Sequence, residues 1–122
     1  METSNMDCIP FSELYRGVKE IFVQIKGMRI KHYQNPEEIN IVFKEGEESY
    51  NYLKEHSTEQ NKILFNVHQA LFSLEEEERK LIIGEFYNTR PLWWMEYYSR
   101  STYYRKQRNA MKLFLYFYRC AL

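Results

Sequence analysis

Arg100, Ser101, Tyr104, Arg105, Arg108 and Lys112 recur at spacings that place them along one side of a helix, with Lys106 beside them. Their chemistry is that of a nucleic-acid reader. A guanidinium fork matches the paired acceptors on the edge of guanine, and the remaining cations match phosphates. An exposed helix with Arg, Ser and Tyr in its first turns fits the major groove of duplex DNA. The same residues also describe a solvated basic face on an ordinary packed helix, and spacing alone leaves both open. No catalytic constellation competes with them. The chain has no Gly-rich phosphate loop, no G-x-S-x-G and no H-E-x-x-H. His32, His56 and His68 show no ligand spacing with Cys8 or Cys120. The expectation is a protein that is not an enzyme and takes no metal or cofactor.

Such a face needs a helix whose other side is buried. Ser99 can cap that helix, and Tyr103, Ala110, Phe114 and Phe117 recur at near-helical spacing as an inward stripe. Gln107 is the one polar interruption of the stripe. Upstream, Leu14, Val18, Ile21, Phe22, Ile25 and Met28 predict a first helix over 11–32 with Ser12 as its cap. Asn35-Pro36-Glu37-Glu38 reads as cap, first position and acidic first turn of a second helix. Ile39 to Phe43 is rich in β-branched residues, but no partner strand is evident, so this stretch is also read as helical. A further helix follows from Glu47 to His56, and Ser57 with Gln60 offers a capping box for the stripe Ile63, Leu64, Val67, Ala70 and Leu71. His68 beside that stripe reads as a packed or surface residue. Ser73 with Glu76 offers a second box for a helix running to Tyr87. The carboxylates from Glu75 to Glu78 favour the positive end of that helix more than acid–base work, since consecutive side chains diverge. Pro91 then opens a short helix over 92–98, in which one of Trp93 and Trp94 is buried and the other partly exposed.

The 122 residues, 44% of them hydrophobic, suffice for one core, and the net charge is zero. The distribution is uneven. Residues 1–72 hold eight Lys/Arg and eleven Asp/Glu, whereas from Arg79 onward the count is nine against two. A basic C-terminal third is the electrostatic footprint of a phosphate-binding module. Met1 to Pro10 lacks the apolar core of a signal peptide, and the longest apolar run, Leu113 to Tyr118, is too short for a membrane span. A cytoplasmic protein with no membrane partner is expected, its two cysteines either reduced or joined end to end.

A short helix, a tight turn and a capped second helix with outward Arg and inward Ala form the helix-turn-helix pattern. Over residues 73–118 the chain resembles the C-terminal, −35-reading domain of bacterial sigma factors. It is most similar to the small sigma-like regulators of the ArpU type, which control late transcription in phages of Gram-positive bacteria. The likeness is carried by the acidic helix Leu74 to Ile83, by Ser99, by Tyr103-Tyr104-Arg105, and by Ala110 eleven positions after the Ser. The chain departs from that pattern at Glu96 and Tyr97, where an apolar and a small residue are usual, and at the bulky Trp93 and Trp94. A bulky residue is unfavourable where a turn needs positive φ, so a turn of another geometry is implied.

The resemblance implies an all-α fold, a small multi-helix bundle with a C-terminal sigma-like helix-turn-helix. Residues 73–122 would form the DNA-binding domain and residues 1–72 a helical region for dimerisation or polymerase contact. Arg100, Ser101, Tyr104 and Arg105 would meet base edges, with Arg108 one turn on, while Lys106 and Lys112 would contact phosphates. The expected function is transcription regulation by recruiting or modulating RNA polymerase on duplex DNA. The long apolar faces of 12–32 and 58–71 also suggest a homodimer. The alternative is an all-α interaction or structural protein without nucleic acid, anchored by Tyr116, Phe117, Tyr118 and Leu122. An RNA binder that stacks bases on tyrosines is a further rival.

Overall fold

The computed structural model describes residues 9–31, 36–58, 62–88 and 90–121, which hold six α-helices and no strand. The protein is a small all-α, multi-helix protein. The helices are α1 (Phe11–Lys31), α2 (Pro36–Ile41), α3 (Glu47–Glu55), α4 (Lys62–Ser73), α5 (Glu76–Ile82) and α6 (Arg100–Ala121). A π-helical turn, Ile83–Tyr87, prolongs α5, and a 3-10 turn, Trp93–Glu96, precedes α6. No described helix is long and apolar enough to cross a membrane.

Helix α6 is the axis, packed against α1, α4 and α5. Its stripe buries Tyr103, Gln107, Ala110, Met111, Phe114 and Leu115. The α1 stripe meets it through Phe22, whose ring lies 5.7 Å from Phe114 and 6.0 Å from Phe86. Each fully buried side chain of this size contributes roughly 1.5–3 kcal/mol, so these contacts dominate the fold. Leu14, Val18, Phe22 and Ile25 of α1 and Leu64, Val67, Ala70 and Leu71 of α4 belong to the same cluster as the α6 residues. The apolar faces that suggest a second copy are therefore covered within the chain. Tyr116, Phe117 and Tyr118 are also partly buried against this core, which corrects their reading as an exposed anchor. Leu122 lies outside the described residues, as do Cys8, Asn35 and Gln60 with the caps and pairing assigned to them.

The helix starts differ from those expected. At α1 the amides of Glu13 and Leu14 both donate to the Pro10 carbonyl, at 3.0 and 3.1 Å, so Ser12 lies inside the helix. At α5 the cap moves two residues on. Leu74 is buried and draws the chain inward, Ser73 Oγ donates back to the Gln69 carbonyl at 2.8 Å, and the Glu75 amide donates to Glu78 Oε1 at 3.0 Å. The short helix expected over 92–98 is a single 3-10 turn, entered through Leu92 at φ 52, so Pro91 stands in a turn and does not open a helix. Tyr97 has φ −115, and the implied turn of another geometry places its left-handed residue at Leu92.

Candidate nucleic-acid interface

The start of α6 presents the face predicted from the sequence. The Ser99 hydroxyl donates to Thr102 Oγ1 at 2.9 Å and accepts the Thr102 amide at 3.4 Å, while the Tyr103 amide donates to the Ser99 carbonyl at 2.9 Å. Ser99 thus closes the first turn as a cap does. Arg100, Ser101 and Arg105 are exposed, and Tyr104 is 41% exposed. The Tyr104 ring is held edge-on by Phe11, Trp94 and Tyr103, with centroids 5.3, 6.1 and 5.2 Å away. A tyrosine supported on three sides presents its hydroxyl with little rotamer freedom left to lose.

The remaining predicted contacts are drawn into the protein's own structure. Lys106 is half-buried and pairs with Glu77, its Nζ 2.9 Å from Oε1. Arg108 donates to the Ile9 carbonyl at 2.6 Å. Lys112 is half-buried and, with Arg105, lines a shallow groove of about 410 Å³ whose other wall holds Glu75, Glu77 and Glu78. Asn109 donates to Glu78 Oε2 across the same groove at 3.1 Å. Hydrogen bonds from Lys106 and then Tyr98 hold the Glu77 carboxyl below its usual range. The glutamate run does serve the start of α5, yet two of its members also face α6. Pairings across 29 and 31 residues leave no trace in local spacing.

Sequence reasoning gave no role to Glu85, the residue that ties α6 to α1 and the 3-10 turn. Glu85 sits in the π turn, where the Asn88 amide bonds the Ile83 carbonyl at 3.0 Å. This wider turn lets both Glu85 and Phe86 face inward. Glu85 Oε1 accepts from Tyr103 Oη at 2.6 Å and Trp93 Nε1 at 3.2 Å, and Oε2 accepts from Tyr15 Oη at 2.7 Å. One carboxylate thereby ties α1, the 3-10 turn and α6 together. Burial, then the bond to Glu85, pushes the Tyr15 hydroxyl up to about 12, and the same causes raise Tyr103. Gln107 completes the network, its Nε2 donating to the Leu81 carbonyl at 3.0 Å and to Tyr103 Oη at 3.2 Å, while its Oε1 is buried and has no hydrogen-bond partner among the described residues. The available signal was an acidic residue on the inward face of a helix, between Ile82 and Phe86.

The tryptophans divide as expected. Trp94 is buried and stacks on Tyr103 at 4.4 Å and 8°, and Trp93 is half-buried. Trp93 lies so close over Gly84 that a Cβ there would stand 2.8 Å from its ring, and a larger residue would force the indole to shift. His68 is packed in the core, where its Nδ1–H donates to the Val42 carbonyl at 2.9 Å and burial lowers its pKa. Among the described residues no three His, Cys, Asp or Glu side chains are grouped to hold a metal ion. No family model, curated protein or solved structure matches the chain.

Proposed function

We propose that the protein is a non-catalytic, cytoplasmic regulator of transcription that inserts the start of α6 into the major groove of duplex DNA and recruits or modulates RNA polymerase. The observation that carries it is the shared exposed face of Arg100, Ser101, Tyr104 and Arg105 on the first turns of a capped helix. The Glu85 network and the Trp94–Tyr103 stack brace that helix from behind, so the face is held rigidly. Arg108 lies one turn beyond Arg105, and Lys106 and Lys112 continue the charge along α6, where they would serve phosphates once released from their present neighbours. Residues 1–72 would offer the polymerase its contact surface.

Selection of duplexes from a random pool, followed by anisotropy titration against salt, tests this function. Arg105→Ala should weaken the selected site by about 1–3 kcal/mol and relax its sequence preference, as expected for a bidentate guanine contact. Absence of salt-dependent binding to any duplex would overturn the proposal. The alternative, an interaction protein without nucleic acid, is favoured by Leu92, Met95 and Tyr97, which are 62, 60 and 67% exposed beside the 3-10 turn. Under that alternative, Met95→Asp and Tyr97→Asp abolish partner binding, and no duplex binds.

A further inference from the structure

Beside the reading face of α6 lies a groove of about 480 Å³ between α1 and the loop before the 3-10 turn. Lys19 and Lys26 line it from α1 and Arg90 from the loop. None of the three has an ion-pair partner among the described residues. The one carboxylate in the lining, Glu85, already accepts three hydrogen bonds, from Tyr15, Tyr103 and Trp93. The groove therefore sets three cations against one carboxylate, and its lining is positive on balance. Tyr104 lines the groove and also belongs to the exposed face of α6, so the two surfaces are continuous.

We infer that this groove is a phosphate track, in which Lys19, Lys26 and Arg90 hold the backbone of the same duplex whose bases meet the start of α6. The inference rests on the DNA-binding function proposed above and adds the residues that anchor the backbone. Lys19 and Lys26 stand seven residues apart on one helix, which is about 10 Å along its axis, close to three axial steps of one DNA strand at about 3.4 Å each. Val23 and Leu92, 56 and 62% exposed, line the groove as well and provide apolar surface against deoxyribose. The acidic first turn of α5 flanks a different part of α6, so a strand in this groove avoids Glu77 and Glu78. Backbone contacts of this kind set register and orientation without reading sequence.

The test replaces the three cations together, as Lys19→Gln, Lys26→Gln and Arg90→Gln in the full chain, with the far-ultraviolet spectrum and urea midpoint checked against the parent. A control of equal charge carries Lys44→Gln, Lys62→Gln and Arg119→Gln, exposed positions outside the groove. Binding to the selected duplex and to an unrelated duplex is measured between about 50 and about 200 mM salt. Three phosphate contacts contribute about 2.7 to the logarithmic salt slope, so the parent should lose about 40-fold more affinity over that range than the groove variant does. Both duplexes should be affected equally, and the control should keep the parent slope. A groove variant with the parent slope, or a control that flattens the slope as much, overturns the phosphate track while leaving DNA binding by α6 in place. Single-stranded DNA that competes better than duplex also overturns it. A parent chain that binds no duplex defeats the proposed function, and the track falls with it.

Discussion

Glu77 and Glu85 stand on one continuous helical segment and both grip α6, but to different ends. Glu77 is 54% exposed and holds Lys106 at 2.9 Å and Tyr98 at 3.1 Å on the outer side. Glu85 is half-buried and takes its donors from three separate elements, with Tyr103, itself 2% exposed, the closest. Water competes for every group around Glu77, so its ion pair is worth little and can be exchanged for another partner. Tyr103 is buried and Glu85 is its nearest acceptor, so that bond ties α6 to the π turn. A carboxylate's distance from solvent thus separates a contact that builds the interface from one that occupies it.

The comparison breaks first at Glu85. Glu85→Ala strands the buried Tyr103 hydroxyl, while Tyr15 and Trp93, both half-buried, can turn to water. The expected loss is about 3 kcal/mol by urea unfolding, with Glu85→Gln losing about 1 because an acceptor remains. The pH dependence gives the direction independently. The folded chain holds the Tyr15 proton to about 12, above the ordinary 10.0, and Tyr103 moves the same way. Their contribution is complete below the unfolded value and is lost as pH rises through the folded one. The urea midpoint should therefore fall on the alkaline side of 10.0, with a weaker fall in Glu85→Gln. Next in size is Gly84→Ala, which pushes a methyl against Trp93 at 2.8 Å and should destabilise by about 2 kcal/mol, with a shift in tryptophan fluorescence. Equal stability of parent and Glu85→Ala would remove the distinction between the two carboxylates.

Much of this arrangement was legible in the sequence, for reasons that also explain the misses. The stripes of α1, α4 and α6 follow from periodicity because a single buried face extends over several turns of each helix. Ser99 was legible because a cap acts within its own turn. Ser73 misled for the complementary reason: burial of Leu74, a tertiary event, moved the start of α5 to Glu75. The 3-10 turn was not legible, since Trp94 packs on Tyr103 of the following helix and not within its own turn. On the candidate interface, residue types identified the exposed Arg100, Ser101, Tyr104 and Arg105. They did not show that Glu77 and Glu78 would fold over Lys106 and Asn109. Nor did they bring Lys19 and Arg90 to one groove, since those residues are distant in the chain and meet only when α1 packs.

The smallest effect on stability sharpens the comparison most, because it separates folding from binding at one residue. Glu77→Gln removes an exposed ion pair and should change the unfolding free energy in urea by less than about 1 kcal/mol. The Lys106 bond holds the Glu77 carboxyl below its ordinary 4.5, so the pair stabilises the fold above the unfolded value and is lost as pH falls through the lower, folded one. In the parent this small acid-side decline should be visible, and in Glu77→Gln it should be absent. Under the proposed function, the substitution has a larger consequence for DNA. Glu77 and a phosphate compete for the same ammonium group, and only the phosphate remains once the carboxylate is gone. Duplex binding should tighten at low salt, and the salt slope should steepen by about 0.9 as one further phosphate is neutralised. Lys106→Gln should remove that gain when added to Glu77→Gln, since Lys106 is the group released. If Glu77→Gln leaves the slope unchanged, Lys106 is a structural partner of α5 alone, and the phosphate contacts of α6 must be sought elsewhere along the helix.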